Sequence, residues 1–128
     1  MFVLDDAIKE LIAAYIGRFT PKRELAKKFV EVYKQLCTCI DCFDREPIDE
    51  DKWNENVREY NRRVSSIAIK MEIHDPKLHI SYQTKLGAEE SPTLHNSKDE
   101  RQKHLKLMKG TKEQLRNFID ENFEPSDY

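Results

Sequence analysis

The sequence predicts an all-α protein, an up-and-down four-helix bundle with one additional short helix over about residues 76–86. Three observations predict it. Apolar residues recur at steps of three and four along most of the chain, the spacing that gathers side chains on one face of a helix. Only 3 glycines and 5 prolines punctuate 128 residues, too few turn formers for an all-β fold. Two neighbouring segments also carry the same heptad-like stripe across a short acidic link, the pattern of an antiparallel helical hairpin. With 38% hydrophobic and 36% charged residues, the chain suits helices with one apolar stripe and wet remaining faces. Its length suits a single domain spanning residues 1–128.

The first helix is expected over about 5–19, where Leu4, Ile8, Leu11 and Tyr15 share a side with Ile12, Ile16 and Phe19. Thr20-Pro21 reads as N-cap and first residue of a second helix, 21–43. There Leu25, Phe29, Val32, Leu36, Cys39 and Phe43 follow alternating steps of four and three, flanked by Val30, Tyr33 and Ile40. A third helix, 49–74, begins after Pro47 with Asp49 as its cap and repeats the stripe in Trp53, Val57, Tyr60, Val64, Ile67 and Met71. Asp75-Pro76 reads as a stop and a new start, and Leu78, Tyr82 and Leu86 then recur every four residues up to Gly87. The stretch LHISYQT also fits a strand. A last helix, 97–123, carries a thinner stripe of Leu105, Met108, Leu115, Phe118 and Ile119. Gly110 interrupts it at a cost of about 1 kcal/mol relative to Ala.

Signatures of catalysis are sparse. Neither a P-loop nor a GxGxxG turn occurs, and there is no GxSxG elbow and no HExxH pair. Cys39-Ile40-Asp41-Cys42 is formally a CxxC, but a structural zinc site usually takes two such pairs, and no second one is present. Buried small hydrophobes are the plainer reading of Cys39 and Cys42, and a disulfide with neighbouring Cys37 would strain a helix. No metal and no cofactor are expected. All four histidines, His74, His79, His95 and His104, fall in the second half of the chain. In an up-and-down bundle the end of the third helix and the start of the last share a pole, so these residues would cluster there. His95, Arg101 and His104 are then the residues an acid–base site would draw on. The Arg101–His104 pair resembles the Arg-to-His pairing of the four-helix HEPN endoribonucleases at a shorter spacing, so no residue role is carried over.

The formal net charge of −2 conceals an uneven layout. Bases crowd the start of the second helix (Lys22, Arg23, Lys27) and recur along the last (Lys98, Arg101, Lys103, Lys106, Lys109). Acids crowd the hairpin link (Asp41, Asp44, Asp49, Glu50, Asp51) and return in the tail (Asp120, Glu121). If the second and last helices run the same way, these groups fold into a basic pole and an acidic pole. Such a layout opposes the macrodipole of the second helix at both of its ends, which points to selection for contact with a partner.

The function this predicts is a non-enzymatic helical protein–protein interaction or adaptor module, self-association through oppositely charged poles being one form of it. The partner would be another protein or a second copy of the chain. The alternative is a small nucleic-acid-binding or RNA-cleaving bundle that works from the basic, His-containing pole. Nucleic acid is the less favoured partner, because no aromatics interleave with the lysines. No segment approaches the roughly 18–20 apolar residues of a membrane span, and the N-terminus lacks the basic leader of a secretory signal. A cytoplasmic location is expected.

Overall fold

The computed structural model describes residues 4, 6–15, 22–45, 47–72, 86–88 and 97–127. They form an all-α bundle with no strand among the described residues. A short helix α1 (Asp6–Tyr15) precedes three long ones, α2 (Lys22–Phe43), α3 (Glu50–Glu72) and α4 (Lys98–Asn122), and a 3-10 turn covers Pro125–Asp127. The expected helix over 76–86 lies outside the described residues, save for Leu86, which is buried.

The stripes read from the sequence are the core. Leu25, Phe29, Val32, Leu36, Cys39 and Phe43 of α2 are all buried, as are Trp53, Val57, Tyr60, Val64 and Ile67 of α3. Leu4 and Ile12 join the same cluster. Each such side chain taken from water contributes about 1.5–3 kcal/mol, which outweighs the modest helix propensity of the β-branched and aromatic members. Asp49 caps α3 as expected: its carboxylate accepts from the Lys52 amide at 3.2 Å, and its carbonyl accepts from the Trp53 amide at 2.9 Å. Ser97 caps α4 in the same way, its hydroxyl accepting from the Glu100 amide at 3.3 Å.

α2 is the central helix, packed against α3 on one side and α4 on the other. Its seam with α3 is antiparallel, since partners on α3 rise in number as those on α2 fall. Lys28 donates to the Ser66 hydroxyl at 2.7 Å, Arg63 to the Glu31 carbonyl at 2.9 Å and Gln35 to the Asn56 carbonyl at 3.1 Å. The Phe43 and Trp53 rings then meet at 5.0 Å. α4 is antiparallel to α2 as well: Phe43 lies 5.2 Å from His104 at one end, and Phe29 lies 5.2 Å from Phe118 at the other. α3 and α4 therefore run in the same direction, and α4 does not run parallel to α2 as the charge layout of two separate poles required.

The described part of the connection from α3 to α4, residues 86–88, is clipped to the middle of α3. Tyr60 donates its buried hydroxyl to the Leu86 carbonyl at 2.8 Å. Asn61 engages both backbone groups of Ala88, donating to its carbonyl at 2.8 Å and accepting from its amide at 2.7 Å. These two side chains satisfy backbone that would otherwise lie unpaired against the core.

Candidate functional site

The direction of α4 decides where the candidate residues stand. His104 does not project into an open cleft. It is buried at 7% exposure against Phe43 and Trp53, its ring 6.3 Å from the indole at a near-perpendicular 76°. Trp53 is fully buried there, and its indole N–H meets no acceptor among the described residues. Arg101, about one turn earlier, lines a small surface cleft of about 90 Å3 with Lys98, Gln102, Asp44 and Ile48. The two residues thus share a helix but present themselves to different surroundings. A general base has to come within hydrogen-bond reach of its substrate, and the His104 ring is packed among aromatic carbons. His74, His79 and His95 lie outside the described residues. α3 and α4 point the same way, so the end of α3 and His104 lie at opposite ends of the bundle.

The charge poles are redistributed for the same reason. Lys22, Arg23 and Lys27, all exposed, stand at the end of the bundle where α4 finishes, with exposed Asp120 and Glu121. Lys98, Arg101 and Lys103 stand at the other end, where α2 finishes and α3 begins, with Asp41, Asp44, Asp49, Glu50 and Asp51. Each end carries both signs. The macrodipole argument changes with them, because the carboxylates at the negative end of α2 lie beside the positive N-termini of α3 and α4. What the sequence shows as a local cost, the neighbouring helices offset.

The exposed surface with most chemical character is a groove between α2 and α4, of about 890 Å3. Lys106, Lys109, Lys112 and Arg116 of α4, with Glu113 among them, line one side, and Asp41 of α2 and Asp44 just after it the other, above Tyr33 and Ile40. Neither row closes an ion pair with any described residue. Gly110 opens the middle of the groove, with nothing within 4 Å of where a Cβ would stand. On the outer face of the same helix Leu107 is 41% exposed.

No known protein family, curated protein or solved structure matches this chain.

Cys39 adds little reactivity. All three cysteines are free thiols. Burial, reinforced by neighbouring Cys42, pushes the Cys39 thiol up to about 12, and its S–H lies 3.5 Å from the Asn56 carbonyl. A thiol so held is almost wholly protonated at neutral pH and is a poor nucleophile or metal ligand. Among the described residues no group of three His, Cys, Asp or Glu side chains is placed to hold a metal ion. Among the same residues no helix is long and apolar enough to cross a membrane. A tight charged cluster does form on α3, where Glu59 accepts from Arg62 and Arg63. Those hydrogen bonds hold its carboxyl at about 2, and Glu59 in turn pushes the Arg62 guanidinium up. Since Arg63 also reaches the Glu31 carbonyl on α2, this cluster serves the seam of the hairpin.

Sequence reasoning found the cations of α4 but not the groove they line, because spacing along one helix carries no record of the neighbour across from it. It also missed Tyr60 and Asn61 as the residues that hold the connection from α3 to α4. Tyr60 was visible only as a stripe position, and Asn61 carried no signal at all.

Proposed function

We propose that this chain is a non-enzymatic helical interaction module, a soluble, cytoplasmic adaptor that engages a protein partner through α4. One observation carries the reading: Lys106, Lys109, Lys112 and Arg116 line one open groove without closing an ion pair among the described residues. A helix that spends one stripe on its own core and leaves such a row unpaired is suited to a charged partner, since electrostatic complementarity supplies specificity and rapid association. The burial of His104 and the protonated state of Cys39 favour this reading over a catalytic one. The mixed charge at both ends of the bundle also argues against head-to-tail stacking, because no end is purely basic or purely acidic. In this reading α1 completes the bundle as a fourth, shorter helix.

The test is affinity capture from native extract, with the wild-type chain set beside a variant bearing Lys106→Glu and Lys109→Glu. The wild type is expected to retain discrete proteins that the variant releases, at unchanged helicity. An identical set of proteins on both would overturn the proposal. So would tight, salt-sensitive binding of generic single-stranded RNA at micromolar concentration with no protein captured. That result would favour the nucleic-acid alternative, and turnover dependent on His104 would make it an RNA-cleaving bundle.

A further inference from the structure

The two charged rows of the α2–α4 groove are not evenly opposed. Asp41 lies in the last turn of α2 and Asp44 immediately follows its end, so they face the first half of α4 near Lys106. Lys112 and Arg116 lie further along α4, opposite Tyr33, where α2 offers the groove no carboxylate. The groove therefore carries both signs where Asp41 and Asp44 stand across from Lys106 and Lys109, and a net positive charge towards Lys112 and Arg116, with Glu113 between them and Tyr33 and Ile40 as its floor. Lys109, Lys112 and Arg116 are spaced by three and four residues, so they form one row about 10 Å long at the helical rise.

A phosphate backbone is a poor fit to this layout, since its uniform negative charge would have to run past the Asp41 and Asp44 wall as well as the cations. The complement is a segment that changes sign along its length. An α-helix does this at no cost when its first turns are acidic and its last turns basic, the order its own macrodipole favours. We infer that the α2–α4 groove docks one amphipathic helix of a partner protein, acidic in its N-terminal turns and basic in its C-terminal turns. The bound helix runs parallel to α2 and antiparallel to α4, with its carboxylates on Lys112 and Arg116 and its bases on Asp41 and Asp44. Its apolar face lies on Tyr33 and Ile40, in the groove-and-anchor manner of other helix-binding surfaces. This assignment rests on the reading of the chain as a protein-binding module and adds the chemistry and polarity of the partner.

The experiment uses the full chain and two synthetic helical peptides of identical composition. One is acidic in its N-terminal half and basic in its C-terminal half, and the other has the halves exchanged. Fluorescence anisotropy at low salt is expected to show the first binding on the order of tenfold more tightly than the second. A spin label at the N-terminus of the first peptide should broaden the backbone resonance of Arg116, and one at its C-terminus that of Asp44. Lys112→Glu with Arg116→Glu should abolish the preference. A third peptide, with bases placed opposite the new carboxylates, should restore binding to that variant. Equal binding of the two peptides, or broadening outside the groove, overturns the inference. It is equally overturned if an RNA strand displaces the peptide, or if the peptide-free chain dimerises through this groove. A chain that captures proteins through α4 yet ignores both peptides would keep its assignment as an interaction module and lose this one.

Discussion

Glu59 shows how much one side chain can be asked to do. It sits on α3 with Arg62 on one side and Arg63 on the other, and Arg63 extends across the seam to the Glu31 carbonyl. Hydrogen bonds from Arg62, then Arg63, hold its carboxyl at about 2, against 4.5 for a free glutamate. The folded state therefore keeps Glu59 ionised where the unfolded chain takes up a proton. Its contribution to stability is fully present above about pH 4.5 and is lost as the pH falls through about 2. The side chain is 33% exposed, so solvent screens much of the effect. Urea titrations between pH 5 and pH 2 should show stability of Glu59→Gln falling less steeply than that of the wild type. Parallel curves would show that the clamp contributes nothing. Neither partner of this cluster stood out in the sequence, where an acid followed by two arginines is an ordinary feature of a solvated helix face.

The three long helices differ in how openly their sequences declare them. α2 and α3 were the most legible, because every stripe position is apolar and those from Leu25 to Phe43 and from Trp53 to Ile67 are buried. α4 looked thinner than it is. Its buried positions His104, Met108, Thr111, Leu115 and Phe118 keep the same alternation of four and three. Two of the five are polar and so vanish from a hydrophobic pattern. His104 packs tilted against Phe43 and edge-on to Trp53, and Thr111 returns its hydroxyl to the Leu107 carbonyl at 3.0 Å. Gly110 is the remaining weak point. Its site is open and helical, so Gly110→Ala removes backbone freedom from the unfolded chain without creating a clash. It should stabilise the protein by about 0.5–1 kcal/mol and raise Tm by about 4 °C. A lower Tm in differential scanning calorimetry would mean that the groove needs the glycine for its shape.

For the whole molecule, pattern specifies faces and leaves directions open. An amphipathic stripe is equally buried whether its helix runs up or down, so the direction of α4 was not recoverable from spacing. The charge layout inferred from one direction dissolved with the other. The candidate site was legible to the same extent: its cations were visible on α4, whereas the acids facing them belong to a helix more than sixty residues earlier. Sequence distance also has a kinetic consequence. α2 and α3 are joined by a link of a few residues, while α4 begins at Lys98, far along the chain from Glu72 where α3 ends. Closing the first contact costs little chain entropy and closing the second costs more. The hairpin should therefore form in the folding transition state and α4 should dock after it. In stopped-flow chevrons Val57→Ala is expected chiefly to slow folding, and Leu115→Ala chiefly to speed unfolding. The reverse pattern would place α4 in the nucleus. The clasp of Tyr60 and Asn61 on residues 86–88 then acts as a halfway mooring. Once it is made, the free length of chain between the formed hairpin and the searching helix is cut to the stretch after Ala88, and the last helix completes its search on a short tether.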